Sequence, residues 1–411
     1  MKLATKAIHT PFNKKDIHGS LRMPVYDNAA FETENAETME NAFKGTQAIH
    51  VYSRLSNPTV EYFESVVKNL TDSSGVIALS SGMAAISNVF FGLSQTGDNF
   101  ISSNKLFGNT YSLFENTLKP FGISFKYADV KNVENIEKLI DSNTRGIFLE
   151  TVTNPQNEIA DLKKISAIAK KHNLLLIVDS TATPICFFKA KELGVDIEVI
   201  SSTKYISGGA TSVGGIIIDH GSFNWSHIPK LSADNKKFGK FTFIAKLRKE
   251  VFRNIGACLS PHNAFLQTLG LETFILRVEK SCYNAQLLAE WLQKQKLITK
   301  INYSGLSNSE FHEIGNQQFG SLHGGIISFE MLKKEYCFEF LNNLKIIRRA
   351  TNLNDNKTLA IHPASTIYSE YSNEIKKELN ITETLIRISL GIEDIEDIIE
   401  DIKYSLENLK S

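Results

Sequence analysis

The sequence predicts an α/β fold: a large domain on a mostly parallel seven-stranded sheet with helices on both faces, followed by a smaller α+β domain. Three observations carry this. Seven short apolar runs, at 76–79, 99–102, 124–127, 146–149, 174–178, 197–200 and 213–218, have strand length. Segments with helical spacing, such as 83–93, 133–140 and 162–171, separate several of them. Beyond about residue 255 the pattern changes to helical stretches at 266–284 and 285–295, a strand at 324–330 and a charged amphipathic helix at 394–409. Strands alternating with helices build a sheet covered on both faces, and such sheets hold ligands beyond the carboxyl ends of their strands.

In chain order, residues 1–55 contain Pro11, Pro24 and many Asn and Thr residues, and read as an extended arm that reaches a neighbouring subunit. The large domain is expected over 56–255 and the small one over 256–411. Lys+Arg and Asp+Glu both number 45, with no long block of one sign, so neither a nucleic-acid footprint nor an anionic membrane anchor is expected. The apolar runs are far shorter than the roughly 20 residues of a spanning helix, and the first fifteen residues lack the apolar core of a secretory signal. Cys186, Cys258, Cys282 and Cys337 form no CxxC pair and read as reduced thiols, and the histidines show no ligand spacing. The expectation is a cytoplasmic protein without a metal, whose partners are small molecules and copies of itself.

Three strand ends carry the chemistry. The apolar run 174–178 leads directly into Asp179, a carboxylate that is costly there unless a cation meets it. Alone it could equally be a helix cap or half of a buried ion pair. The next strand leads into Ser201-Ser202-Thr203-Lys204-Tyr205 and the turn Ser207-Gly208-Gly209, which puts a lysine at the same sheet edge. The run 76–79 leads into Ser80-Ser81-Gly82-Met83 and a helix, whose free amides can cradle a phosphate. An anion cradle, an amine and a carboxylate on one edge match the needs of pyridoxal 5'-phosphate (PLP): a phosphate, an aldehyde that condenses with Lys204 as a Schiff base, and a ring nitrogen that Asp179 keeps protonated.

These segments resemble the PLP enzymes of cysteine and methionine metabolism, a family of fold type I that includes cystathionine synthases and lyases, methionine γ-lyases and homoserine-ester sulfhydrylases. Tyr52-Ser53-Arg54-Leu55-Ser56-Asn57-Pro58-Thr59 is similar to the family's YxRxxNPT segment, which implies that Tyr52 and Arg54 reach the cofactor phosphate of the neighbouring subunit in a homotetramer built from two dimers. Likewise Ser81, Gly82 and Met83 resemble the phosphate loop, Asn154 the residue that bonds the cofactor hydroxyl, and Ser201 and Thr203 the hydroxyls beside Lys204. Arg387, in Ile386-Arg387-Ile388-Ser389-Leu390-Gly391, resembles the arginine that grips the substrate α-carboxylate, and its planar fork suits that task. The resemblance implies that the substrate amine displaces Lys204, whose freed amine becomes the base for the Cα proton. A second proton shift toward Cβ then lets a group on Cγ depart, and what adds there defines the reaction.

Three features within the family favour an O-acyl-homoserine. Phe107 stands where many relatives have a tyrosine, so ring stacking survives but a phenolic donor to the leaving group is lost. Tyr111 is another phenol nearby, and whether it substitutes stays open. Asn109 stands where methionine γ-lyases carry a cysteine. The stretch 349–359, which includes the substrate-binding candidate Asn352, and the following His362-Pro363-Ala364-Ser365-Thr366 look more like a sulfhydrylase than a lyase, although Tyr368 stands where relatives often have histidine. The expected reaction is O-acetylhomoserine plus sulfide to homocysteine and acetate. The sulfur source, free sulfide or a sulfur-carrier protein, and the acyl group, acetyl or succinyl, stay open. A cystathionine γ-synthase or γ-lyase is the rival, and a non-catalytic PLP-binding homologue the remote alternative.

Overall fold

The computed structural model describes every residue except 12–15, 184, 186, 187 and 411, so Cys186 lies outside the described residues. Seven strands form the large sheet: β1 (Gly75–Leu79), β2 (Asn99–Ser103), β3 (Ser124–Ala128), β4 (Thr144–Glu150), β5 (Leu175–Asp179), β6 (Ile197–Ile200) and β7 (Gly215–Asp219). Their spatial order is β1-β7-β6-β5-β4-β2-β3. Only β7 runs against its neighbours, pairing antiparallel with both β1 and β6. The carboxyl ends of the other six therefore converge on one edge.

Away from the edge strand β3 both faces of this sheet are buried, which is why most of its strands read as apolar runs rather than alternating ones. Leu175 and Ile177 join Phe90, Phe100 and Phe148 in the core on one face, while Leu176 and Val178 join Ile147 and Ile165 on the other. The helix Leu162–Lys171 covers the second face, with Asp161 capping Lys164 N and with Leu162, Ile165 and Ala169 turned inward.

The smaller sheet has the order β10-β11-β12-β9-β8, from β8 (Ile298–Asn302), β9 (Ile326–Met331), β10 (Arg348–Arg349), β11 (Leu359–Ile361) and β12 (Leu385–Ser389). It packs against the C-terminal helix Ile395–Glu407 through Ile395, Ile398 and Ile402. A strut joins the two cores. The helix Phe274–Leu292 gives Phe274, Val278 and Cys282 to the core beneath β1 and β7, and Ala285, Leu288 and Leu292 to the small-sheet core.

Two differences from the sequence reading stand out. The break between the long helices falls at Thr273, between Pro261–Glu272 and Phe274–Leu292, rather than near 284. The segment 1–55 is not wholly irregular, since Leu3–Ile8 and Ala36–Lys44 are helical. The second of these has Asn35 accepting from Thr38 N and Gly45 closing it at φ 73°.

Candidate active site

At the convergent edge lies a cavity of about 530 Å³ lined by residues from both domains. The strand ends supply it in turn: Ser81, Gly82 and Met83 after β1, Phe107 after β2, Glu150 and Asn154 after β4, Asp179 after β5, and Ser201, Thr203 and Lys204 after β6. Asn352 and Arg387 enter from the small domain.

The phosphate-cradle candidate is the start of the helix Gly82–Leu93. Ser81 caps it by accepting from Ala84 N at 3.0 Å, which leaves the Gly82 and Met83 amides, unpaired within the helix, at its positive end. A Cβ at Gly82 would lie 2.7 Å from Ser201 Cβ, so only glycine lets the cradle and the Ser201 segment approach this closely. Gly215, opposite Leu79 in β7, is held to glycine in the same way, since a Cβ there would meet Ser81 O at 2.0 Å.

Lys204 Nζ donates to Asn352 Oδ1 at 2.6 Å. Burial, with the charge of Arg387 added, lowers its pKa to about 8. Asp179 accepts from Thr181 N at 2.9 Å, and burial raises its pKa; none of the groups acting on it is a cation. Its register partner across the β4–β5 ladder is Glu150. Burial first, then the adjacent Asp179, raises Glu150 to about 8, so the two buried carboxyls are both pushed toward their neutral forms and titrate as a pair. Glu150 also accepts from Phe107 N, which fixes the backbone that presents the Phe107 ring. The position of Glu150 beside Asp179 follows from sheet register, which sequence spacing does not display.

Arg387 is only 1% exposed. It donates from Nη1 to Asn154 Oδ1 at 3.2 Å and from Nη2 to Asn352 O at 2.9 Å, while its Nε is buried without a partner. Burial lowers its pKa to about 10, still far above neutrality. Arg387 lines the cavity, and a buried guanidinium with an unmet donor suits a carboxylate ligand. Together an amine of lowered pKa, an acid lacking a cation, a helix start and this arginine fit PLP bearing an amino acid.

Three residues named from sequence lie outside this cavity lining. Tyr111 packs its ring 5.4 Å from Tyr127 and 6.0 Å from Tyr371. Tyr52 and Arg54 are exposed, with the Arg54 guanidinium 5.5 Å from the Tyr52 ring and Arg54 Nη1 donating to Arg253 O. Among the described residues no group of three potential ligands could hold a metal, and no helix is long and apolar enough to cross a membrane.

Residues 4–407 match the family model of Cys/Met metabolism PLP-dependent enzymes. The homocysteine/cysteine synthase of Saccharomyces cerevisiae is 33% identical over 95% of this chain and 94% of its own length. The L-methionine gamma-lyase of Pseudomonas putida is 34% identical over 98% of this chain and 96% of its own. A Campylobacter jejuni crystal structure that carries a pyridoxyl-lysine monophosphate superposes with a TM-score of 0.93 at 34% identity, covering 99% of this chain and 100% of that one. The O-acetylhomoserine sulfhydrylase of Wolinella succinogenes is 46% identical with a TM-score of 0.77, over 86% of this chain and 98% of its own.

Proposed function

The chain belongs to the Cys/Met metabolism PLP-dependent enzyme family, and within it we propose that this enzyme replaces the acetate of O-acetylhomoserine with sulfide to give homocysteine. The observation that carries this reading is the lining of this chain's own cavity, which among the described residues contains Phe107 but no tyrosine, histidine or cysteine. A departing thiolate, with a thiol pKa of about 8.5, needs a proton as it leaves; a departing carboxylate, whose acid has a pKa of about 4, does not. A site with a phenyl ring where a phenol would stand suits the ester. The 46% identity to the Wolinella succinogenes sulfhydrylase supports the same choice.

The chain's own residues divide the work. PLP, when bound, supplies an aldehyde for the substrate amine and a ring that withdraws electrons from Cα. Asp179 would hold the proton on the ring nitrogen, whose positive charge would offset the cost of the carboxylate's burial. Lys204, with its lowered pKa, is a neutral base within the ordinary alkaline range and moves protons at Cα and Cβ. Arg387 holds the substrate α-carboxylate, and Asn154 and Asn352 fix the guanidinium. Phe107, in the cavity lining, would supply an aromatic face for the ring. The Gly82 and Met83 amides, with Ser81, Ser201 and Thr203, hold the phosphate side. Tyr52 and Arg54, exposed and outside this chain's own cavity, serve the phosphate of a second copy.

The test compares kcat/KM for O-acetylhomoserine with sulfide against that for methionine alone, with Lys204→Ala as control. Preference for the ester, lost in the control, is expected. Faster release of 2-oxobutanoate from methionine would replace the assignment with a γ-lyase.

A further inference from the structure

The turn that follows His362-Pro363-Ala364-Ser365-Thr366 does more than close the small domain. Its backbone is fixed locally: Thr366 N and Tyr368 N both donate to Pro363 O, at 3.2 and 3.1 Å, and His362 Nδ1 meets Ser365 Oγ at 2.8 Å. From this turn Tyr368 reaches across 214 positions of sequence to donate its hydroxyl to Asn154 O at 3.0 Å, with Leu106 O at 3.5 Å. Tyr371, three residues on, donates to Gly108 O at 3.2 Å. The two phenols thus meet the carbonyls on either side of Phe107, and the first also anchors the backbone of Asn154, whose side chain holds Arg387. Tyr368 is 1% exposed, and its ring lies 5.3 Å from that of Tyr371. Neither ring lines the cavity.

We propose that Tyr368 and Tyr371 are positioning residues: a strap from the small domain that sets the height of the Phe107 ring over the cofactor and, through Asn154, the seat of Arg387. The inference rests on the cofactor placement above and extends it, because it makes ring stacking depend on a hydrogen-bonded contact between domains. Tyr111 belongs to the same aromatic cluster through Tyr371, which gives it a packing task instead of access to the leaving group.

The test uses PLP-loaded Tyr368→Phe and Tyr371→Phe, which keep ring packing, and Gly108→Ala, whose new Cβ would lie 3.3 Å from both Ile367 O and the Tyr371 hydroxyl and so wedges the strap. Two readouts are taken: the visible circular dichroism of bound PLP, which reports ring orientation without any substrate, and the split of kcat from KM with O-acetylhomoserine and sulfide. The strap predicts a changed dichroism in all three variants. It also predicts that Tyr368→Phe lowers kcat/KM by about fivefold, the equivalent of one neutral hydrogen bond. Unchanged dichroism in all three, whether or not thermal stability falls, would overturn it. If wild type does not turn over O-acetylhomoserine, the substrate reading fails while the dichroism still decides the strap.

Discussion

Replacing Arg387 with lysine keeps the positive charge and removes the fork. In the wild type two nitrogens are occupied by Asn154 Oδ1 and Asn352 O, and Nε has no partner, so a substrate carboxylate completes the guanidinium's bonding. A hydrogen bond to a charged group contributes about 1.5–3 kcal/mol, and a lysine ammonium at this depth retains about one of the two bonds a carboxylate would receive. The loss is then about 10- to 150-fold in kcat/KM for the amino-acid substrate. The assay is steady-state kinetics with each substrate varied in turn, beside the visible spectrum and a melting curve. The effect should appear in the amino-acid substrate, with KM for sulfide and the cofactor spectrum unchanged. A kcat/KM within threefold of wild type would refute the carboxylate assignment, and a loss shared equally by both substrates would refute its location.

Lys204, with a pKa lowered to about 8, sheds its proton well below the usual 10.5. Recapture of PLP by cofactor-stripped enzyme, which needs the neutral amine, should therefore rise with pH and level off above about 8. A rate that continued to climb toward pH 10 would contradict the burial argument. Phe107→Tyr should raise 2-oxobutanoate release from methionine by about tenfold, since a phenol in that place can protonate a departing thiolate; no gain would remove the reason for preferring the ester. Arg54→Ala should weaken PLP retention by the assembled protein, measured by equilibrium dialysis, and unchanged affinity would mean that Arg54 does not serve a neighbour's phosphate.

Much of this was legible in the sequence because the strands of the large sheet are buried on both faces. The run ending at Val178 could be read as a strand, and the residue after it had to be Asp179 at the ligand edge. The helix Leu162–Lys171 coincides with its apolar spacing, and Asp161 marks its start. The break at Thr273 was not legible, because neither glycine nor proline marks it and the apolar spacing runs on through Phe274. The helix Ala36–Lys44 did carry signals, Asn35 ahead of it, Gly45 after it and Met39, Ala42 and Phe43 at helical spacing, although none of its residues is buried. Contacts set by register or by distant turns stayed hidden. Glu150 meets Asp179 only because β4 and β5 are neighbours, and Tyr368 reaches Asn154 only because the small domain folds back over the cavity.

The central claim is that this site exchanges an acyl ester for sulfur. The most direct measurement incubates the PLP-loaded enzyme with O-acetylhomoserine and sulfide and quantifies acetate and homocysteine together. Equal amounts of the two, both abolished by Lys204→Ala, are predicted. Acetate accompanied by 2-oxobutanoate in place of homocysteine, or no acetate at all, would contradict it.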